Sequence, residues 1–217
     1  MNATSCTSLS SIGLSAFYGC SELTSVYMPD NSVIDVKNYT YANCISLGAF
    51  SGNLSITAIG DYAFSNTPSI WEWHIHQSLR SIGSHAFANS GIKTFDIASS
   101  GVKTIGSYAF NECKSLTSIV IPANVTAIGD YAFCDCNSLK TANIGQGISS
   151  ISDGAFLNCS NLTSINVSPA LRKIGNKAFA NCSLTGNVQV YDMVDSIGAS
   201  AFYNNRNMWR ILGGTNQ

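Results

Sequence analysis

A chain of 217 residues with 45% hydrophobic side chains can bury a continuous core, while 11% charged residues and a net charge of −1 leave no basic stripe to neutralise phosphates. No apolar run approaches the roughly 18–20 residues of a membrane-spanning helix, and the opening MNATSCTSLSSIG lacks the basic-then-apolar pattern of a secretion signal. Nucleic acid and membrane insertion of this segment are set aside, and a surface coated by Ser, Thr, Asn and Gly leans toward a secreted or cell-surface protein.

Taken along the chain, the first element is the hexapeptide at 12–17, of the form I-G-x-x-A-F. A worn copy follows at 36–41, then copies at 59–64, 82–87, 105–110, 128–133, 151–156 (with Ser152 for glycine), 174–179 and 197–202. The anchoring aromatics fall at 17, 41, 64, 87, 110, 133, 156, 179 and 202, so one interval is 24 residues and the others are 23. A fixed period of this size marks a solenoid, whose units bury their apolar faces only against their neighbours.

Each unit carries further columns. An aliphatic residue stands three places before the anchoring Ile, and a leucine-like residue six places after the aromatic. Two apolar residues separated by one then follow, as in Ile119 and Ile121, and predict a short strand with Ser118, Val120 and Pro122 facing outward. The segment G-D-Y-A-F predicts a single helical or 3₁₀ turn. Asn or Asp two places past the aromatic suits a left-handed end to that turn, and the anchor glycine suits a tight bend. The expected architecture is an α/β solenoid forming one domain over 1–217. About nine 23-residue coils stack in parallel at about 4.8 Å, strands on the concave side, helical turns and loops on the other, the coiling right-handed.

The pattern is broken locally. An extra residue falls between Pro29 and Val33, Gly52 replaces an inward aliphatic, a residue is missing near Gly91, and 183–190 is out of register. Neither end carries a polar capping unit, which points to a piece of a longer array or to coils that self-stack. Cys20, Cys44, Cys113, Cys136, Cys159 and Cys182 share one column and read as small buried hydrophobes, their spacing suiting neither disulfides nor zinc. Cys6 and Cys134 lie outside it and are expected to react with a thiol probe.

The repeated string I-G-x-x-A-F-x-x-C-x-x-L-x-x-I-x-I-P, clearest from 105 to 144 and traceable over about 9–212, resembles the BspA-like type of leucine-rich repeat found in bacterial and protist surface proteins. That resemblance implies a non-catalytic module for adhesion to host matrix proteins or other cells. No nucleophile elbow, P-loop or dinucleotide fingerprint argues otherwise, and no cofactor is called for.

A partner is expected on the concave strands of the early coils, where the outward residues change character: Tyr27, then Glu72, His74 and His76, then Asp96, with Trp71 and Lys93 just before their strands. Trp73 falls in an inward column and reads as core. A carboxylate with His-x-His is also a metal pattern, but beyond Asp96 no further ligand is evident; what is left is a surface without a strong ligand preference or a protein or glycan contact patch, and the expectation of a partner rests on the second. Later coils offer a bland lining of Ser118, Val120, Thr141, Asn143, Ser164 and Asn166. The alternative is a structural role, with coils stacking end to end.

Overall fold

The computed structural model describes residues 9–28, 34–51, 56–73, 78–97 and 100–212. Short apolar–polar alternations extend the backbone into strands. In chain order these are β1 (Ser25–Tyr27), β2 (Ala49–Ser51), β3 (Ala58–Ile59), β4 (Glu72–Trp73), β5 (Ser81–Ile82), β6 (Thr94–Asp96), β7 (Thr104–Ile105) and β8 (Ser118–Ile121). There follow β9 (Ala127–Ile128), β10 (Thr141–Ile144), β11 (Ser150–Ile151), β12 (Ser164–Asn166), β13 (Lys173–Ile174), β14 (Thr185–Gln189), β15 (Ser196–Ile197) and β16 (Asn207–Leu212).

All pairings are parallel and join one coil to the next, as in Thr141 beside Ser118 and Ser164, giving a parallel β-solenoid of about seven turns. One face carries the ladders β1-β2-β4, β6-β8-β10-β12 and β14-β16; a second carries β3-β5-β7-β9 and β11-β13-β15, with Val36 bridging to Ile59. The three interruptions fall where the repeat is irregular. Between β4 and β6 lies the segment with a residue missing, and β14 follows the out-of-register start at 183, with a bulge between Gly186 and Asn187. Directly after β11, where the other coils carry the anchor glycine, stands Ser152, whose hydroxyl donates to the Ile128 carbonyl of the preceding coil at 2.5 Å.

The hexapeptide forms no helix among the described residues, which corrects the α/β reading. Two residues of each turn sit in the left-handed region four places apart, such as Tyr131 (φ 57°) and Asp135 (φ 59°), and a right-handed helix cannot pass through them. Amides alternate instead. Those of Ala132 and Cys134 close tight turns onto Gly129 and Tyr131; those of Tyr131, Phe133 and Asp135 donate to Asp153, Ala155 and Leu157 of the next coil at 2.8–2.9 Å. The turns thus form a third inter-coil ladder. The left-handed Asn and Asp residues after the aromatic are where the sequence placed them, Asn43, Asn66, Asn89, Asp135, Asn158, Asn181 and Asn204 among them.

The anchor glycine stands where no side chain fits, as expected, but the cause is the neighbouring coil and not a bend of its own. Its φ is not positive; a Cβ on Gly129 would lie 2.3 Å from the Ser107 amide nitrogen of the coil before it. Close backbone approach, not a bend, excludes a side chain. Behind it the aromatics stand in file from Phe17 through Tyr41 to Phe202, stacked at 5.2–5.5 Å between centroids. Phe50, Trp73 and Phe95 meet this file edge-on from the strand side, and Trp73 is core as read.

The cysteine column needs two corrections. Its buried thiols are hydrogen-bond donors as well as filler: Cys113, Cys136, Cys159 and Cys182 point to the carbonyls of Phe87, Phe110, Phe133 and Phe156 at 3.1–3.2 Å. Asn205 occupies the same column and donates to Phe179 O at 2.8 Å, so a donor, more than a size, defines the place. Reactivity also changes hands. Cys134 is buried and, with Asp135 beside it, its thiol is pushed far up by desolvation, whereas Cys20 is exposed. Cys6 and Gly52 lie outside the described residues.

Candidate functional site

Parallel stacking turns each strand position into a row running across the coils. On the long-strand face the outward rows are readable from the register. Ser25 and Ala49 stand in one, with the Glu72 backbone paired to Ala49, and Thr94, Ser118, Thr141 and Ser164 form the corresponding row of the next ladder. Two residues further along the strands, Tyr27 stands beside Ser51, and Asp96, Val120, Asn143 and Asn166 stand side by side.

The residues singled out from the sequence all map to this face or outside the described chain. Tyr27 is 42% exposed at the end of β1, and Trp71 is 52% exposed just before β4. The Trp71 carbonyl accepts from the Lys93 amide at 3.4 Å, so those two residues are neighbours across coils. Glu72 is placed by its backbone opposite Ala49 on β4. Asp96 is exposed at the end of β6, next to Val120. His74 and His76 lie outside the described residues. Tyr27 and Trp71 sit two strands apart in one ladder and Asp96 in the next, so the three share a face but not a pocket. Among the described residues no group of three His, Cys, Asp or Glu is placed to hold a metal ion.

Two features escaped the reading of the sequence. On the turn edge, Tyr39, Tyr62, His85, Tyr108 and Tyr131 form a second ring stack at 4.4–5.0 Å, every member in the left-handed region. His85 is held below its ordinary pKa by burial between its neighbours, against the opposing pull of Asp61. Its signal was visible: an aromatic or His recurs every 23 residues at the fourth place of the hexapeptide. This stack presents ring edges, not faces, to solvent and reads as a coil-to-coil fastening.

The second is a groove of about 380 Å³ on the long-strand face, beyond the exits of β8, β10 and β12. Val120, Pro122, Asn143, Gln146, Asn166 and Tyr191 are among its lining residues. The sequence had shown these coils as bland. The depth comes from loops, which the strand pattern does not encode.

Comparison with known proteins agrees with this architecture. The BspA type leucine rich repeat region matches residues 2–101 and 92–209, in six copies. A leucine-rich repeat protein from Bacteroides ovatus superposes with a TM-score of 0.83 over 95% of this chain at 24% identity. This chain spans 59% of that protein's length. The leucine rich repeat protein of T. pallidum gives 0.64 and 28% identity over 74% of this chain and 77% of its own. A leucine rich cell surface protein from Faecalibacterium prausnitzii gives 0.53 and 20% identity over 96% of this chain and 70% of its own. No curated protein sequence matches the chain.

Proposed function

The chain belongs to the BspA-type leucine-rich-repeat family, and from that premise we propose that it is a non-catalytic recognition module, secreted or displayed at the cell surface. Its partner is a protein or glycan of a host matrix or cell surface, held on the long-strand face of a single solenoid domain. The observation that carries this is the exposure of large side chains there: Tyr27 and Trp71 stand out of a face whose inward neighbours Val26, Phe50 and Trp73 are buried. Aromatic side chains on a rigid sheet give contact area at little entropic cost. A surface location is supported by the family and by the description of the F. prausnitzii neighbour.

The test is Tyr27→Ala combined with Trp71→Ala, assayed on immobilised matrix proteins and a glycan array. Binding should fall by roughly tenfold or more while stability changes by less than about 1 kcal/mol, because both side chains are exposed. Undiminished binding would remove the reading. End-to-end self-association is the second reading, favoured by Leu14, 67% exposed, and by Ile12 and Leu14 lining a cavity of about 480 Å³ at the first described coil. Light scattering against concentration separates the two, since only self-stacking makes the mass grow.

A further inference from the structure

The groove beyond β8, β10 and β12 has chemistry of its own. No Asp, Glu, Lys, Arg or His is among its lining residues; Asp96 stands one strand before Val120 and Asp192 follows Tyr191, both outside it. Its polar groups are carboxamides. Asn143 and Asn166 project from adjacent strands in the same register, about 4.8 Å apart, with Gln146 on the neighbouring loop. None of these three side chains makes a hydrogen bond among the described residues, although most of the Asn side chains of the turn edge are bound to the next coil. Ser168 is already committed, its hydroxyl accepting from the Ala170 amide at 2.9 Å. The remaining lining side chains are largely apolar: Val120, 48% exposed, Pro122, the exposed Pro169 and the half-buried Tyr191, whose ring carries a hydroxyl.

Free carboxamides both donate and accept, an aliphatic base and one ring supply an apolar wall, and the absence of charge disfavours anionic or cationic ligands. The volume lies within the range of small-molecule sites. We propose that this groove is a binding site for a neutral oligosaccharide, its hydroxyls paired by Asn143, Asn166 and Gln146 and its apolar ring face laid against Val120 and Tyr191. The proposal rests on the recognition-module reading and gives it a second, smaller site away from Tyr27 and Trp71.

The experiment is an NMR titration of the full chain with neutral trisaccharides built on glucose, galactose, mannose and N-acetylglucosamine, beside a sulfated trisaccharide and a neutral extended peptide. At least one neutral sugar should bind saturably at concentrations on the order of millimolar or below. Asn143→Ala with Asn166→Ala should weaken it by roughly tenfold or more. Trp71→Ala should leave it unchanged, and an unaltered melting temperature would show that the double variant folds. No saturable neutral sugar, binding untouched by the double variant, or binding of the peptide or the sulfated sugar alone would each overturn the proposal. Loss of matrix binding on Tyr27→Ala with Trp71→Ala would still support the broader reading in any of those cases.

Discussion

The turn edge and the long-strand face use the same residue type for opposite purposes. On the turn edge, asparagines sit at left-handed positions and pass hydrogen bonds from coil to coil, Asn66 to Asn43 at 2.8 Å and Asn181 to Asn158 at 2.8 Å. On the long-strand face, Asn143 and Asn166 stand in register yet bind nothing within the described protein. The backbone explains the difference. Strand amides and carbonyls satisfy one another, so an outward side chain there is surplus to the fold; a left-handed turn needs Asn or Gly for its conformation and uses the carboxamide as an added rung. Stability therefore concentrates on the turns and the aromatic file, and the strand face is left available for partners.

The largest test of that division is Phe133→Ala. Phe133 is fully buried and stacked at 5.2 Å on both Phe110 and Phe156, so removing its ring should cost about 3–5 kcal/mol in denaturant unfolding. A loss under about 1 kcal/mol would mean that the file does not hold the coils together.

Gly129→Ala comes next. The new methyl would enter the backbone of the preceding coil at 2.3 Å, and forcing the coils apart should cost about 1–3 kcal/mol. Gly13→Ala is its control, since no atom lies within 4 Å of that added Cβ, and it should be neutral or slightly stabilising. Equal effects at the two sites would show that the anchor glycine serves conformation after all.

Both residues illustrate what could be read beforehand. The 23-residue recurrence of Phe and Gly is a direct imprint of stacking, because every coil meets its neighbour through the same atoms, and even the ladder breaks at Ser152, near Gly91 and at 183–190 were marked in the sequence. The helical turn was misread because I-G-x-x-A-F has the composition of a helix start. Only the left-handed Tyr131 and Asp135, stabilised by bonds to another coil, reveal tandem turns. The groove was illegible for a related reason: Pro122, Gln146 and Tyr191 come together through loops with no period to follow. Alternation set Tyr27 and Asp96 on the outward side of their strands and Trp71 was read as lying just before its own; all three are exposed, but alternation says nothing about whether they converge, and they do not share a pocket.

Asn158→Ala tests the turn edge itself. The variant loses the bond to Asp135 at 3.0 Å and the one from Asn181, and leaves alanine at φ 60°, for a cost of about 2 kcal/mol. Asn158→Gly keeps the conformation and should recover about half of that. At Tyr41 the direction reverses. Its hydroxyl is buried with no partner among the described residues, and burial pushes its pKa far upward, so Tyr41→Phe should gain about 1 kcal/mol and raise the melting temperature by about 2–4 °C.

The smallest expected change carries the most for function. Asn143→Ala removes an exposed side chain from β10 whose backbone is paired on both sides by β8 and β12, and alanine suits a strand no worse than asparagine. Stability should move by less than about 0.5 kcal/mol in either direction. The same substitution at Asn158, fifteen residues on, should be several times more costly, although both remove one carboxamide from one coil. If Asn143→Ala instead cost as much as Asn158→Ala, its carboxamide would be a rung of the fold in solution, the strand face would not be spare, and the groove would lose the free polar groups on which ligand binding depends.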